Sequence, residues 1–548
     1  MKRYAIFVLF PIILIIIFIN IFIKEPSRDN VGDYIRKAIA SGNYEVAEDE
    51  YRKLISIDFN NIGYHIRYIS SYFKFSNKRT GSNTSRVREI VAYYMSFLKS
   101  EDPNVVDIAH YCLGFIKATE NNYKTALSFY FKVQNKDLVG LNNYIGHCYR
   151  ELGDNEKAKF FLKREIETDG YVKSALNNYA KILLQEKKTE ELEGILNNPK
   201  YKNLIYPSIR RDFFFIKNKF ISYFVLIIFS YKDSVIVEGL IAALFICIIW
   251  FVFIKKLDIF EPEKFRFLFL TLFLSVVLSN LAYVLYDSFN HYLHFVLKGS
   301  TLTELAYCIF GIGLIEESVK LVPVFIMLFL TKQINESTDF IIYASISALG
   351  FAFAENLGYF HEFGLKNIGV RASVCTLLHM VLSSFAIYGL IYSKYKRKSI
   401  LYFAVSFLSA CIIHGLYDFP LLTSSSMFRA FALFSFLLVL LSIGIYKNMV
   451  VNALNNSEYF REIDYSVSLR KSRLVIVYGL SYLIVVHYLI NALKFGPKFA
   501  NSQIAISSFS LVSIILVIHA NFSKFTLKQK LWLPLFKRKM PNKRKKHT

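Results

Sequence analysis

The chain is expected to be all-α: a polytopic transmembrane helix bundle of about ten spans that also carries a soluble α-helical repeat domain. Three observations lead there. Of 548 residues, 54% are hydrophobic and 17% aromatic, and mean hydropathy is +0.34, a membrane-protein composition. Apolar stretches of roughly 20 residues, long enough to cross a bilayer, recur in series through the second half. Between the first such stretch and that series, residues 29–217 turn soluble in composition and helical in pattern.

At the N-terminus, Lys2 and Arg3 precede an apolar run from Tyr4 to Ile23. Its far end has neither a small-residue cleavage site nor a lipobox cysteine, so 1–28 reads as an uncleaved anchor with its N-terminus inside. Within 29–217, Gly114, Ala126 and Tyr130 recur as Gly146, Ala158 and Leu162 at matching internal offsets. This small-residue spacing, with Tyr149 following Gly146, resembles tetratricopeptide repeats, in which small residues let the two helices of a hairpin approach closely. Asn43 to Ala47 with Tyr51 reads as a degenerate earlier unit, and Ala180 to Leu196 as a later one. Stacked hairpins make a concave surface for peptides or protein partners.

After Ile221 to Ser230, too short to span and expected to be interfacial, the apolar segments fall near Ile236–Ile254, Phe267–Tyr286, Ile312–Leu330, Phe340–Tyr359, Ala372–Tyr392, Ile400–Phe419, Phe428–Tyr446, Leu474–Leu493 and Ile504–Phe522. Every second loop is basic: Lys255 to Arg266, Lys332, Lys394 to Lys398, Arg461 to Arg473, and the tail Lys537 to Lys546. By the positive-inside rule those loops and the tail are cytoplasmic, and the repeat domain is extracytoplasmic, as in a bacterial inner membrane. The net charge of +24 is thereby explained by topology and attraction to anionic lipid, without nucleic acid. The expected layout is anchor 1–28, repeat domain 29–217, connector and first span 218–266, polar core bundle 267–446, two further spans within 447–522, and basic tail 523–548. Six cysteines show no metal-ribbon spacing; reduced thiols are expected, with a Cys112–Cys148 bridge left open.

Four consecutive spans hold groups that do not belong in hydrocarbon, where each costs roughly 2.5 to 3.5 kcal/mol on insertion scales. The first has Glu316, Glu317 and Lys320; the second Phe351, Glu355 and Asn356; the third Arg371 and His379; the fourth His414 and Asp418. Glu316 and Lys320, one helical turn apart, are expected to pair, leaving Glu317 without a local partner. Asp418, one turn after His414, is expected to orient that imidazole. Counted along their helices, Glu317, Glu355, His379 and His414 reach a similar depth, so one shared site is expected. Lys320, Phe351, Asn356 and Arg371 are assigned to support or substrate contact. Chains of Glu, His and Asp also make proton relays, so an ion- or proton-coupled transporter is the competing class, although no internal repeat relates two halves of the bundle. A third reading is a receptor or scaffold in which the bundle only anchors the repeat domain.

E-E-x-x-K at Glu316 to Lys320, F-x-x-x-E-N at Phe351 to Asn356, Arg371 followed by His379, and H-x-x-x-D at His414 to Asp418 together resemble the PrsW family of intramembrane proteases, part of a wider group with the CAAX prenyl proteases and bacteriocin-processing membrane proteins. The resemblance spans about Phe267 to Tyr446. It implies a membrane endopeptidase that cuts a membrane protein, such as an anti-sigma factor, on the extracytoplasmic side in regulated proteolysis or envelope stress signalling. It also implies catalytic roles among Glu316, Glu317, Glu355, His379, His414 and Asp418. No G-x-S-x-G or H-E-x-x-H motif is present, so an attacking water is expected. Either Glu316 or Glu317 is its general base, with His414 at the oxyanion, or a divalent metal such as zinc, held among Glu317, Glu355, His379 and His414, activates it. Ligands scattered over four helices give no recognisable zinc spacing, which leaves the choice between the two routes open and favours the metal-free one.

Overall fold

The computed structural model describes residues 13–23, 31–41, 44–78, 83–226, 235–297, 300–397, 399–423, 425–462, 466–522 and 527–535. The start of the anchor, the end of the Ile221–Ser230 stretch and the basic tail lie outside these residues. The chain divides into two compact units, Glu25–Ser230 on one hand and Met1–Lys24 with Tyr231–Thr548 on the other.

The first unit is a succession of helices: α1 (Val31–Ser41), α2 (Tyr44–Ile57), α3 (Ile62–Lys78), α4 (Asn83–Phe97), α5 (Pro103–Thr119), α6 (Tyr123–Tyr130), α7 (Leu141–Glu151), α8 (Asn155–Glu167), α9 (Val172–Gln185), α10 (Thr189–Asn197) and α11 (Pro207–Ile216). The pairs α5/α6, α7/α8 and α9/α10 pack as tetratricopeptide-like hairpins. The small residues have the role their spacing predicts. A methyl group at Gly114 would sit 2.5 Å from the Tyr130 ring, and one at Gly146 would sit 2.7 Å from Leu162, so each hairpin closes only because these positions lack a side chain. Ala126, Ala158 and Ala180 are fully buried at the same crossings, and Ala47 and Tyr51 are buried in the degenerate unit. Asp102 and Asn122 cap the N-termini of α5 and α6. All six cysteines are free and buried, which closes the question of a Cys112–Cys148 bridge in favour of thiols.

The second unit comprises α12 (Val237–Leu257), α13 (Phe265–Leu278), α14 (Asn280–Leu293), α15 (Leu314–Leu330), α16 (Ser337–Phe363), α17 (Thr376–Tyr392), α18 (Leu401–Leu422), α19 (Ala432–Asn455), α20 (Ser466–Phe495) and α21 (Pro497–Phe522). Seven described helices are long and apolar enough to cross a membrane, and the bent pair Pro497–Ile504 with Ser508–Phe522 makes an eighth. This is fewer than the ten expected, for two reasons. Only Ile13–Phe22 of the anchor is described, a short helix whose Ile19 packs against Tyr488, Ala492 and Ala500. Helix α15 has 17 residues, and Glu316, Glu317 and Lys320 interrupt its hydropathy.

Helix α16 is the hub, in contact with α12, α13, α15, α17 and α19. Its buried face is built of Ala344, Ser345, Ser347, Ala348, Gly350 and Ala352, the small residues that membrane helices use to approach one another where lipid is as apolar as leucine. At Gly350 the backbone of α13 is close enough that a Cβ would meet the Leu272 carbonyl oxygen at 2.5 Å. Buried hydroxyls then bridge helices: Ser275 donates to the Ser347 carbonyl, Ser347 to the Lys320 carbonyl, and Trp250 Nε1 to the Ala372 carbonyl at 2.7 Å.

Candidate active site

Four helices deliver the polar residues to one place, and two local features of the backbone make this possible. Helix α15 is preceded by a π-helical turn, Tyr307–Gly313, and the segment leading into α17 by another, Arg371–Cys375. Such turns rotate the side chains that follow, and they recur at functional sites. Helix α18 then lies directly on the first π turn. A Cβ at Gly415 would be 2.5 Å from Ile309 Cα, and one at Gly313 would strike the Cys411 carbonyl oxygen, so glycine at both positions lets His414 reach the Glu316–Glu317 pair.

Glu317 is fully buried, and it has partners. Its Oε1 accepts from Lys320 Nζ at 2.9 Å and faces His414 Nδ1 at 2.8 Å, while Oε2 accepts from Ser383 at 2.9 Å. Lys320 thus binds Glu317 as well as Glu316, whose Oε2 is 3.2 Å away, correcting the expectation that Glu317 has no local partner. Because an ionised carboxylate cannot donate, the Glu317 contact places the proton of His414 on Nδ1 and frees Nε2. Glu317 therefore fixes the tautomer. Asp418, expected in that role, instead lies 3.4 Å from Nε2, on the side that faces the cavity.

His379 stands between Lys320 Nζ, 2.7 Å from its Nδ1, and Glu355 Oε2, 2.8 Å from its Nε2. Glu355 also accepts from Arg371 at 2.8 Å, and Arg371 Nε donates to Asn356 Oδ1 at 2.6 Å. Phe351 is buried, with its ring centroid 4.6 Å from Lys320 Nζ and 5.8 Å from the His379 ring. Phe351, Asn356 and Lys320 thus hold other site groups in place, and none of them lines the cavity. Glu316, Glu355, His379, His414 and Asp418 do line it, in a space of about 570 Å³ whose remaining wall includes Leu378, Leu421 and Tyr417.

Two residues escaped the sequence reading. Tyr286 on α14 donates to Glu316 Oε1 at 2.9 Å and lines the cavity, and Ser383 on α17 holds Glu317. Neither stands in a recognisable motif, and a tyrosine near a span end ordinarily signals only the membrane interface.

Among the described residues, one group brings three potential metal-ligand atoms within 4.8 Å of one another: Glu316, His379 and His414. This group shares the two imidazoles with the expected set of Glu317, Glu355, His379 and His414 and brings Glu316 to them in place of Glu317 and Glu355. One carboxylate and two imidazoles form a donor set that suits a catalytic zinc. Glu316 Oε2 is buried without a hydrogen bond of good geometry, and the cation that faces it is the Lys320 ammonium at 3.2 Å. The set fits a metal once Lys320 Nζ, now against His379 Nδ1, draws back.

Residues 263–445 match the family described as PrsW family intramembrane metalloproteases. This stretch is a PrsW-family domain. The chain is 32% identical over 168 residues to Protease PrsW of Clostridioides difficile (strain 630), covering 29% of this chain and 66% of that protein. It is 30% identical over 128 residues to Protease PrsW of Geobacillus kaustophilus (strain HTA426), covering 23% and 56%. To Protease PrsW of Oceanobacillus iheyensis it is 29% identical over 148 residues, covering 25% and 64%. The chain thus spans between 56 and 66% of the length of these relatives. The repeat unit and the last two helices lie outside the PrsW domain. Among solved structures, the APC/C hetero-tetramer Cut9-Hcn1 matches with 12% identity over 89% of this chain and 95% of that one, at a TM-score of 0.22, too low to mean a shared fold.

Proposed function

We propose that the protein is an intramembrane endopeptidase that hydrolyses a peptide bond of a membrane-protein substrate by an activated water. The observation that carries this reading is the convergence of Glu316, His379 and His414 at the wall of a cavity also lined by Asp418 and Tyr286. Glu316, His379 and His414 would hold a divalent metal, which would supply a Lewis acid to make water nucleophilic near neutral pH. The rest is the work of the chain. Glu317 holds the His414 ring with Nε2 turned to the cavity, and Lys320 and Ser383 hold Glu317 in turn. Among the described residues, the one ion-pair contact of Asp418 is to His414, so this carboxylate can take a proton from the attacking water and return it to the leaving amine. Glu355, tied to Arg371, stays charged and positions His379. The Tyr286 hydroxyl, bonded to Glu316 at rest, turns to donate to the oxyanion as the carbonyl becomes tetrahedral. The apolar wall at Leu378, Leu421 and Leu422 receives the substrate side chains flanking the cut.

An intact helix hides its peptide bonds, so the substrate unwinds at the site or is cut close to the membrane surface. The alternation of basic loops supports an extracytoplasmic site and repeat domain, and the PrsW resemblance supports a substrate such as an anti-sigma factor. The repeat domain then captures the external segment of the substrate at high effective concentration. The test is purified protein with a single-pass membrane substrate, wild type beside Glu316→Gln and His414→Ala, with metal content measured on each. Cleavage by wild type alone, lost together with the bound metal on chelation, is expected. Full cleavage by both variants would falsify the proposal.

A further inference from the structure

A second group of buried carboxylates lies at the opposite end of α16 from Glu355, and the catalytic reading does not use it. It is formed where the loop after α12 meets the start of α16. Asp258, Glu263, Glu336 and Asp339 are each at most 7% exposed, and Glu261 is half-buried beside them. Among the described residues none of these five has a Lys, Arg or His nitrogen within 4.0 Å, in contrast to every acidic residue of the active site, Asp418 included, whose one such partner is His414. Backbone and hydroxyl donors satisfy one side of the cluster. Asp258 Oδ2 accepts from Glu263 N at 2.6 Å, and Glu263 Oε2 from the Tyr343 hydroxyl at 2.6 Å. Asp339 Oδ2 accepts from Asn335 N and Glu336 N at 2.9 and 2.8 Å, and Glu336 Oε2 from Ser457.

The other side is unsatisfied. Asp258 Oδ1, Glu261 Oε2, Glu336 Oε1 and Asp339 Oδ1 are buried with no hydrogen-bond partner, and so are Asn335 Oδ1 and Thr338 Oγ1. Six unpartnered oxygens in one locality contrast with the usual rule that buried polar atoms find partners. An unpaired buried carboxylate is also among the costliest groups a fold can hold. Glu261 and Glu263 lie close enough to Asp258 and Glu336 for their charges to act on both.

We propose that Asp258, Glu336 and Asp339 form a second divalent-cation site, for a hard, largely hydrated cation of the magnesium type, joined by Asn335 and Glu261. The donors are all oxygen, with no imidazole or thiolate, which selects magnesium or calcium over zinc. No three of these carboxylates bring oxygens within 4.8 Å of one another, unlike Glu316, His379 and His414. That spacing fits a cation bound directly by one or two carboxylates and reached by the others through its waters, as magnesium prefers. The bound cation would tie the loop after α12 to the first turn of α16, the helix that bears Glu355 and Asn356 at its other end.

The test uses full-length protein in detergent, stripped with chelator, in a Glu316→Gln/His414→Ala background that silences the active-site ligands. Mn²⁺, a paramagnetic stand-in for Mg²⁺, is titrated while the free ion is read by electron paramagnetic resonance. One equivalent bound, displaced by Mg²⁺ and weakened about tenfold or more by Glu336→Gln/Asp339→Asn, is expected. The wild-type protein supplies a second measurement that does not depend on those substitutions folding. Above neutral pH, millimolar Mg²⁺ raises its unfolding temperature over that in chelator, whereas an equal ionic strength of NaCl does not. Two results overturn the proposal: no stoichiometric Mn²⁺ bound in the silenced background, or Mn²⁺ bound but indifferent to the double substitution. An unfolding temperature that falls with rising pH and ignores Mg²⁺ would assign the cluster to shared protons instead and overturn it likewise.

Discussion

The repeat unit and the active site of this molecule bury carboxylates in opposite ways. In the repeat unit a buried acid serves the backbone. Asp107 accepts from the amides of Gln134 and Asn135, both at 2.8 Å, and so ties α5 to the loop before α7, while Glu165 accepts from those of Gly140, Asn143 and Tyr171 and ties α8 to the start of α7 and to the loop after α8. At the active site of the PrsW domain a buried acid meets ionisable side chains of its own helix and of neighbouring ones. Glu317 binds Lys320 and His414, and Glu355 binds Arg371 and His379. Acids satisfied by amides have no proton to exchange and hold shape; acids satisfied by imidazole and ammonium beside a cavity can change partners, which chemistry requires. Burial alone does not separate the two kinds, since Glu165 is as buried as Glu317.

The sharpest way to break this comparison is to neutralise one acid of each kind. Glu316→Gln should lower cleavage by about 10³-fold while leaving the unfolding temperature close to wild type, since proton transfer and water activation account for effects of that order. Glu165→Ala should do the reverse, costing about 1 to 3 kcal/mol of stability for the amides left unpaired, with cleavage per folded molecule kept. Exchanged phenotypes, read by substrate turnover and by thermal unfolding on the same preparations, would show that the distinction drawn from the partners is wrong.

Glu317→Gln should be intermediate, because Glu317 acts through His414. A fall of about 10- to 100-fold in metal affinity is expected, read by competition with a zinc chelator, with a matching loss of turnover. Asp418→Asn separates the roles: it should abolish turnover while metal affinity stays near wild type. Unchanged metal affinity in Glu317→Gln would return the orienting role to Asp418.

Packing supplies the next contrast. Gly146→Val should destabilise the repeat unit by about 1 to 3 kcal/mol by forcing α7 away from Leu162, and hydrogen exchange should rise over α7 and α8. Gly415→Val should displace α18 from the π turn before α15, so its mark is lost cleavage and metal binding. If Gly415→Val left cleavage intact, the close approach at Ile309 would not be what brings His414 to Glu316.

The smallest effect expected is with pH. Burial pushes the His65 imidazole below its ordinary value of 6.5, against the opposing pull of its bond to the Phe59 carbonyl. Its Nδ1 accepts from the Tyr94 hydroxyl at 3.0 Å, and protonation would remove that acceptor. A depressed folded-state value means that the unfolded chain takes up the proton first. The stability of the repeat unit should therefore be complete above pH 6.5 and decline as pH falls through the depressed value. Hydrogen exchange over 59–97 at a series of pH values measures it, and His65→Gln should flatten the profile.

What the sequence by itself determined is what lies within a single helix or a single hairpin. The offsets from Gly114 to Tyr130 and from Gly146 to Leu162 are local contacts, so reading them predicted two close approaches in the repeat unit. Likewise the run of apolar segments announced a bundle, and six acids and imidazoles on four of them announced a site. Tertiary structure alone decided which member of each pair faces the cavity. Glu316 and Glu317 are separated by about 100° of helix rotation, and only the contact of α18 on the π turn places one at the cavity and the other against Lys320 and Ser383. The same holds for Tyr286, in no motif but brought to Glu316 from α14, and for Asp258, Glu336 and Asp339, whose isolation from any basic group arises only when two separate loops pack together. Sequence spacing fixes angles along one helix; distances between helices depend on how closely their backbones can approach, and here glycines at 313, 350 and 415 set that.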